Sequence, residues 1–429
     1  MRGRGSAARV FAVVATVALA AGACGNEESG GGGGGGGRTG VTDDEIRVGG
    51  VVGKTNPVGR PYEDAFVGVE AYFEMINDDG GVFGKDLKLV AERDDQSQAS
   101  RNIQQVRALV EEDRVFAAIP VVTQIFAGAQ YLADQGVPTF GWNINAEWSL
   151  GPNLFGEKGS FLCFTCPVIQ PAFIARQIGA QRAAVFAYGN APQSLDCAEG
   201  TKNGFAKFGP ELVFEDTSLT FGFTDLSADV AAIRENNVDF IATCMDVNGN
   251  ANIAQALKDA GVEGVTVYSP EGYDADVLKD LGDKVEGFYF QAAFRPFEAP
   301  EGSKGMEEYV AAMEERDQTP NEHSLVGWIN AQLLVEGIKA AGQDFTREKV
   351  INAINKITDF TADGILPPQD WTVVHGPSTD ELACASYIHV ENGEYVPVFG
   401  EPGKPFVCFE HNNEADLTGV PSIDTPVYL

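Results

Sequence analysis

A repeated alternation of short apolar strands and amphipathic helices constrains the fold of this chain more than any other feature. The first series begins with a predicted strand at 46–52 and a helix at 61–77, whose apolar residues recur at helical spacing. A second series starts at a predicted strand at 184–188. Strands separated by helices of this length are typical of parallel sheets built from βαβ units. The sequence therefore predicts an α/β protein with two Rossmann-like lobes, each a parallel sheet flanked by helices.

The remaining predicted elements continue this alternation. In the first series they are strands at 87–91, 116–119 and 137–140, a helix starting at Ser97, and a helix at 123–135. In the second they are strands at 212–214, 240–243 and 265–268, and helices at 197–208, 227–236 and 248–260. Longer helices follow at 305–316, 324–341 and 346–357, and hairpin-like strands follow residue 384. This order predicts that lobe 1 comprises 44–165 plus about 296–361, and lobe 2 comprises 166–295 plus about 362–429.

The N-terminal residues are typical of an export signal followed by a tether. Three arginines precede an uncharged apolar stretch at 10–20, which is too short to span a bilayer. Small residues at 21–23 then lead into Cys24, so we predict a signal peptide at 1–23 and a lipid on Cys24. Residues 24–43 contain eight consecutive glycines, and from this composition we expect a flexible tether. The alternative is a plain secretory signal cleaved after Ala23 without lipid.

The composition limits which partners the protein can bind. The full sequence has a formal net charge of −32 even with the three signal arginines included, and such a charge repels nucleic acid and anionic membrane surfaces. The body, roughly 390 residues, is long enough for two or three domains. No stretch after the signal is long and apolar enough to cross a membrane. We expect a monomer on the extracytoplasmic face of the cell membrane, held there through its lipid alone.

Six of the seven cysteines remain once Cys24 is assigned to the lipid. An even number in an exported protein indicates disulfides. Cys384 and Cys408 flank a predicted hairpin whose turn is Asn392-Gly393, so we expect these two cysteines to pair.

The other four cysteines suggest two further bridges. Cys197 and Cys244 each lie just beyond a predicted strand of the same lobe, which favours a bond between them. Cys163 and Cys166 form a CxxC, which can be redox-active where it opens a helix. Pro167 and the surrounding aromatic residues favour a connector, and therefore a structural bridge.

Two stretches resemble known binding motifs but lack the spacing or the residues that those motifs require. Residues 49–55 resemble a phosphate-binding P-loop, but the glycine spacing is one residue short and Asn56-Pro57 interrupts the start of the helix. Residues 246–250 resemble a calcium loop, but Ala251 replaces the required glycine and Leu257 the required glutamate. The chain also has no HExxH motif and no GxSxG elbow. We therefore predict no catalytic residue, no metal site and no cofactor, and expect that the protein is not an enzyme.

Candidate binding residues follow the strands of lobe 1. Ligands of open α/β sheets bind beyond the carboxyl ends of the strands, where helix N-termini also point. Thr123 is predicted to cap a helix there and, with Gln124, to present N–H groups to a carboxylate or carbonyl oxygen. Trp142, Asn143 and Asn145 follow the next strand and offer an aromatic surface with two amides. The alternatives are that Thr123 only caps its helix and that Trp142 is a core residue.

In lobe 2 the main candidate is Glu271, which follows the predicted strand at 265–268. Its carboxylate is suited to accept a hydrogen bond from a ligand ammonium or hydroxyl, and the alternative is an ordinary solvated loop acid. Asp246 and Ser194 lie at the ends of neighbouring strands and are further candidates.

Three stretches resemble one known family. Residues 76–85 resemble its I-N-x-x-G-G-V-x-G-[KR] motif, and residues 94–97 follow a strand as its D-D-Q-S does. Residues 269–272 resemble the P-E-G of leucine-binding members. This family is that of the branched-chain amino-acid-type substrate-binding proteins of ABC transporters, also called type I periplasmic binding proteins. The likeness covers about residues 44–400.

The resemblance implies a ligand held between two lobes that are joined by a three-stranded hinge. It implies that Thr123 holds the ligand carboxylate and that Asn143 and Asn145 complete that site. Glu271 matches the acid that binds the ammonium. Trp142 replaces the usual proline and, with the two amides, argues against a simple aliphatic amino acid. Related members bind amides, urea-like solutes and aromatic acids.

These features predict an extracytoplasmic solute-binding protein. We expect it to capture a small polar solute, an amino acid or a related amide or carboxylate, and to deliver it to the permease of an ABC importer. A membrane-anchored ligand sensor of the same fold is the alternative. An exported hydrolase is a third possibility, for which the sequence offers no recognisable nucleophile site.

Overall fold

A computed structural model describes residues 38–56, 59, 62–159, 165–372, 383–409 and 423–429. The first part of the chain contains β1 (Glu45–Val52), α1 (Asp64–Asp78), β2 (Asp86–Asp94), α2 (Ala99–Glu111), β3 (Ala118–Val122), α3 (Ala129–Asp134), β4 (Thr139–Gly141) and β5 (Leu154–Gly156). These strands form a parallel sheet in the order β2-β1-β3-β4-β5. β3 is buried at every position, as expected for a central strand with both faces covered.

The second series forms a separate sheet with the same strand order. It contains α4 (Gln170–Gln177), β6 (Arg182–Tyr188), α5 (Pro192–Phe208), β7 (Glu211–Leu219), α6 (Ser227–Glu235), β8 (Phe240–Cys244), α7 (Val247–Asp259), β9 (Thr266–Ser269), α8 (Ala275–Leu281) and β10 (Tyr289–Ala292). The parallel order β7-β6-β8-β9-β10 repeats the pattern of the first sheet. The predicted α/β architecture with two similar parallel sheets is confirmed.

The chain then returns to the first sheet before it ends in the second. The helices α9 (Lys304–Glu315), α10 (Glu322–Ala341) and α11 (Arg347–Ile354) follow, and α10 packs against α1, β3 and β4. The last strands are β11 (Ala383–Glu391), β12 (Glu394–Val398), β13 (Val407–Phe409) and β14 (Val427–Tyr428). They extend the second sheet with antiparallel pairs. The chain thus passes between the sheets three times. The exact lobe boundaries stay a prediction.

A close crossing of α1 and α10 holds the first lobe together. Most of α10 is buried, and Trp328 on this helix packs edge-on against Tyr72 of α1 with 5.0 Å between ring centroids. The crossing requires glycine at two positions. A methyl group on Gly327 would lie 2.0 Å from the Ala65 carbonyl oxygen, and one on Gly68 would lie 1.7 Å from the Ser324 carbonyl oxygen. Within the described ranges, no helix has the length and hydrophobicity needed to cross a bilayer.

The prediction of a helix starting at Thr123 was wrong. The helix is only α3, Ala129–Asp134, and Gly128 occupies its N-cap position. The intervening segment is held by tertiary contacts, since Asn102 Oδ1 accepts a hydrogen bond of 2.8 Å from the Gly128 N–H and Phe126 is buried. These contacts outweigh helical propensity. The short elements β5, β10, α4 and α8 were not predicted.

Candidate ligand-binding site

A cavity of about 290 Å³ receives side chains from the carboxyl ends of both sheets. Gln124, Trp142 and Lys158 contribute from the first sheet, and Ser194, Asp246 and Glu271 contribute from the second. Parallel strands place the residues that follow them at one edge of their sheet. The volume is at the small end of the range for ligand pockets, about 300–1,000 Å³, and therefore suits a small solute.

On the second sheet, the ends of β6 and β8 meet through one buried hydrogen bond. The phenolic hydroxyl of Tyr188 donates to Asp246 Oδ2 at 2.5 Å. The other oxygen of Asp246 accepts from the backbone N–H groups of Asn248 and Gly249 and so caps α7. Burial, followed by the charge of Asp246, raises the pKa of Tyr188. Asp246 thus joins a helix N-terminus to an aromatic wall of the cavity.

Ser194 lines the same cavity, but its hydroxyl is engaged by the backbone. Ser194 Oγ accepts from the Tyr188 N–H at 2.8 Å and donates to the Cys244 carbonyl oxygen at 2.5 Å. The disulfide Cys197–Cys244 lies beside it and also lines the cavity. The bond links α5 to the end of β8. Ser194 and the disulfide together fix the strand-to-helix junction that forms this wall.

Glu271 lies in the turn after β9, half-buried at the cavity wall. The Ser269 hydroxyl donates to the Glu271 carbonyl oxygen at 2.6 Å and accepts from Asn250 Nδ2 at 2.5 Å, which fixes the turn. The charge of Glu271 contributes to the raised pKa of Tyr188, so the two side chains are electrostatically coupled. The predicted acid therefore lies in the same cavity as Asp246.

On the first sheet, Trp142 is buried and forms part of the cavity wall. Its ring lies 5.5 Å from that of Tyr62 and 5.4 Å from that of His323, measured between centroids. Within the part of the chain that the structure describes, Trp142 Nε1 has no hydrogen-bond acceptor. Trp142 therefore belongs both to the cavity wall and to an aromatic cluster with Tyr62 and His323.

Lys158 reaches the cavity from the segment that follows β5. Its backbone N–H donates to Asn143 Oδ1 at 3.0 Å, and Asn143 Nδ2 donates to the Gly159 carbonyl oxygen at 3.0 Å. Asn143 therefore fixes the segment that carries Lys158. Glu157, which directly precedes Lys158, is fully buried. Burial raises the pKa of Glu157 to about 7, although the positive charge of Lys158 lowers it.

Three of the predicted residues do not line the cavity: Thr123, Asn143 and Asn145. The Thr123 hydroxyl is hydrogen-bonded to Asp95, whose pKa burial raises, and it also accepts from the Ile125 N–H. Asn145 precedes a short 3₁₀ turn without bonding to it through its side chain. Their role as ligand-binding residues stays a prediction.

Sequence reasoning missed several lining residues, among them Lys158, Tyr188, Gln291 and Glu322. Tyr188 ends a predicted strand, so the rule that ligands bind at strand ends would have found it. Lys158 and Gln291 depend on the unpredicted strands β5 and β10. Glu322 lies in the first turn of α10 and reaches the site only because that helix returns to the first sheet.

Two of the three predicted disulfides are confirmed. Cys197 bonds to Cys244, and Cys384 bonds to Cys408 across the paired strands β11 and β13. Cys166 is also disulfide-bonded, whereas Cys163 lies outside the described residues. Cys24 lies outside them as well. In the ranges that the structure describes, no group of three or more His, Cys, Asp or Glu side chains is placed to hold a metal ion.

Comparison with solved structures finds the same fold in several transport proteins. A leucine-binding protein from Thermotoga maritima superposes with a TM-score of 0.67 at 18% identity, covering 82% of this chain and 97% of that one. A fatty acid ABC transporter substrate-binding protein from Thermomonospora curvata gives 0.68 at 20% identity, covering 87% and 94%. A solute-binding protein from R. palustris in complex with 4-hydroxybenzoate gives 0.67 at 19% identity, covering 87% and 100%.

Two sequence comparisons were informative in different ways. A search of individual curated proteins finds no match to this sequence, whereas a family model does match. The family model described as periplasmic binding protein matches residues 45–381, which is most of the chain and includes the parallel strands β1–β10 of both sheets. This chain therefore belongs to the periplasmic binding protein family.

Proposed function

We propose that this protein captures a small amine-bearing solute in the cavity between its two sheets and delivers it to the permease of an ABC importer. The observation that carries the proposal is the composition of the cavity wall. One cavity of about 290 Å³ takes polar side chains from both sheets, so a ligand inside it bridges them. Membership in a family of extracytoplasmic binding proteins supports the transport role.

The charges of the cavity favour an amine. Asp246, Glu271 and Glu322 line it, and among its described lining residues Lys158 is the only one with a cationic side chain. Tyr188 and Trp142 supply aromatic faces, which attract ammonium groups and also stack on rings. An amino acid or related amine with a planar or aromatic side chain fits this combination.

A thermal-shift screen against amino acids, amides, simple amines and aromatic acids tests the proposal. A ligand at a hundred times its dissociation constant stabilises the protein by about 2.7 kcal/mol, so a true ligand raises the melting temperature. We expect the amine-bearing solutes to give the largest shifts. Stabilisation by carboxylic acids alone, or by none of the four classes, would contradict the proposal.

The variant Glu271→Gln tests whether Glu271 is the acid that binds the amine of the ligand. The substitution keeps the shape of the side chain and removes its charge. We expect affinity for an amine ligand to fall about ten- to a hundredfold, because hydrogen bonds to charged groups contribute about 1.5–3 kcal/mol. Glu263→Gln, in an exposed loop of the same lobe, is the matched control. Equal affinity in calorimetry for wild type and Glu271→Gln would make Glu271 an ordinary loop acid.

We infer that binding closes the two lobes about the three chain crossings between the sheets. A ligand that contacts both sheets favours the closed state in proportion to its differential affinity. Small-angle scattering should show a smaller radius of gyration with a confirmed ligand. An unchanged radius would indicate a preformed pocket.

We also propose that Cys24 carries a lipid that holds the protein at the extracytoplasmic face of the cell membrane. The support is the apolar segment before this cysteine and the glycine tether after it. Cys24→Ala should move the protein from the membrane fraction into the soluble fraction. Retention of the variant at the membrane would exclude the lipid as the anchor.

We propose that the site binds its solute without transforming it. The hydroxyl of Ser194, which lines the cavity, donates its hydrogen bond to the Cys244 carbonyl oxygen and not to a base. A nucleophilic serine needs an adjacent general base to accept that proton. A solute that has been bound and then released should have the same mass, by mass spectrometry, as before binding. A modified product would contradict this assignment.

A further inference from the structure

We propose that the Cys197–Cys244 disulfide is a modification site inside the cavity, where a small thiol attacks Cys197 and releases Cys244 by thiol–disulfide exchange. The exchange itself does not depend on which solute the protein transports. Its preference for a cationic thiol follows from the acids of the cavity, on which the proposed function also rests.

The fold places this bond in the cavity wall. Cys197 lies on α5 and Cys244 is the last residue of β8, and both line the cavity. Ser194, Cys197 and Thr201 recur at helical spacing and all line it, so one face of α5 is turned toward the cavity. A small molecule that enters the cavity is therefore next to the disulfide.

Burial differs between the two cysteines and gives the exchange a direction. Cys197 is partly exposed, whereas Cys244 is only 6% exposed. Access is one of the factors that decide which sulfur a thiolate attacks, so we expect attack at Cys197. Thr201 Oγ1 lies 3.8 Å from Cys244 Sγ, within hydrogen-bonding distance of a sulfur atom. Its hydroxyl can donate to the thiolate that leaves, and a stabilised leaving thiolate leaves faster.

The reaction consumes two molecules of thiol and needs no other reductant. The sulfur of the first thiolate bonds to Cys197 Sγ, the bond to Cys244 breaks, and its electron pair goes to Cys244 Sγ, which takes a proton from water. A second thiolate then attacks the first thiol's sulfur in this mixed disulfide and releases Cys197. Both cysteines end as thiols, and the two small thiols end as one disulfide.

Opening the bond removes the covalent link between α5 and β8. Ser194 Oγ accepts from the Tyr188 N–H and donates to the Cys244 carbonyl oxygen, so the hydrogen bonds of this junction lie beside the disulfide. After exchange these hydrogen bonds hold the junction without a covalent bond. In the mixed disulfide, the small thiol also occupies part of a cavity of only about 290 Å³.

The charges of the cavity favour one kind of thiol. Asp246, Glu271 and Glu322 line it, and among its described lining residues Lys158 is the only one with a cationic side chain. A cleft lined mainly by one sign of charge raises the local concentration of counterions about ten- to a thousandfold. We therefore expect a thiol with an ammonium group to react faster than a neutral thiol, and a neutral thiol faster than a carboxylate.

Three probes that share one mercaptoethyl group test this order: cysteamine is cationic, 2-mercaptoethanol is neutral and 3-mercaptopropionate is anionic. Each is added to the oxidised protein, samples are quenched with acid and alkylated, and peptide mapping gives the rate at which each disulfide opens. Cys384–Cys408 lies outside the cavity and also joins a partly exposed cysteine to a buried one. Dividing by its rate removes the intrinsic reactivity of each thiol and the effect of the protein's overall negative charge.

We expect the normalised rate at Cys197–Cys244 to be about tenfold or more higher with cysteamine than with 3-mercaptopropionate, and intermediate with 2-mercaptoethanol. In samples quenched early, the thiol adduct should lie on the Cys197 peptide and the alkylated thiol on the Cys244 peptide.

Two variants test the role of Thr201. Thr201→Val keeps the shape of the side chain but loses the hydroxyl, and should slow the opening of Cys197–Cys244 about three- to tenfold. Thr201→Ser keeps the hydroxyl and should retain most of the rate. Neither should change the rate at Cys384–Cys408. Thermal unfolding establishes that both variants are folded.

The outcomes separate this inference from the proposed function. Equal normalised rates for the three thiols, or adducts on Cys244 in place of Cys197, would overturn the modification site while leaving solute binding untouched. A thermal-shift screen in which no amine solute binds would overturn the proposed function. It would leave the exchange rates as they are, because measuring them requires no transported solute.

Discussion

The phenolic hydroxyl of Tyr188 donates a hydrogen bond of 2.5 Å to Oδ2 of Asp246, and through it the ends of β6 and β8 are joined inside the candidate site. The same carboxylate caps α7 with its other oxygen. One acid therefore holds a strand end, a helix start and an aromatic side chain together. Both oxygens of Asp246 accept hydrogen bonds from the protein, so this carboxylate has a structural role at the cavity wall.

Tyr188→Phe should reduce stability, because it removes the donor to Asp246 but keeps the packing of the ring. Hydrogen bonds to charged groups are worth about 1.5–3 kcal/mol, and we expect a loss of that size in the free energy of unfolding measured with urea. Tyr131→Phe is the control, since its hydroxyl bonds to Glu111 at an exposed position where water can replace it. Equal effects of the two substitutions would show that the bond to Asp246 contributes nothing specific.

The two confirmed disulfides should have different effects when removed. Replacing either pair by serine should cost about 2–4 kcal/mol of stability, since the bonded cysteines are 47 and 24 residues apart and each bond closes a loop in the unfolded chain. Only Cys197–Cys244 lines the cavity. We therefore expect its loss to weaken binding of the best solute from the screen, and loss of Cys384–Cys408 to leave affinity unchanged. Calorimetry on both double variants measures the two affinities. An equal change in affinity for both variants would contradict the prediction that only the Cys197–Cys244 bond supports the cavity.

Glu157 should make stability depend on pH. Burial raises its pKa to about 7, above the value of about 4.3 in an unfolded chain, so the folded state binds a proton that the unfolded state releases. The stabilisation from this proton is complete below about pH 4.3 and is lost as the pH rises through 7.

Glu157→Gln mimics the protonated form at every pH. The advantage of this variant over wild type should therefore grow between pH 5 and pH 8, by more than the roughly 1.4 kcal/mol that one pKa unit represents. Urea unfolding at both pH values measures it. Glu147→Gln, at an exposed position, is the control. A constant difference across this range would mean that Glu157 is ionised in the folded protein at pH 5.

Gly327→Ala should destabilise the protein, although alanine is the better helix former by about 1 kcal/mol. The added methyl group would lie 2.0 Å from the Ala65 carbonyl oxygen, so α1 and α10 would have to move apart. Overpacking of this kind costs about 1–3 kcal/mol. Thermal unfolding gives the answer, and a stability equal to or above that of wild type would show that the crossing tolerates a wider separation.

Periodicity predicted most strands and helices because each carries several apolar residues at one spacing. Elements of three or four residues, such as β5 and β10, are too short to show a period. The rule that ligands bind at strand ends led to Glu271, Asp246 and Trp142, all of which line the cavity.

The rest of the site could not be read from local sequence. Thr123 was assigned to a helix N-terminus that tertiary contacts of Asn102 displace to Gly128. Lys158 follows an unpredicted strand, and Glu322 arrives on a helix from a distant part of the chain. These positions depend on which elements become neighbours in space, and a spacing rule carries no information about that.

The crossing of α1 and α10 also governs when the first lobe can be completed. α1 ends at Asp78, but the helix that covers its buried face extends to Ala341, more than two hundred residues later. A chain emerging from its N-terminus exposes that apolar face until the five parallel strands of the second sheet have followed. The order of the chain therefore allows those parallel strands to assemble before α10 covers α1, and adds β11–β14 to the second sheet last.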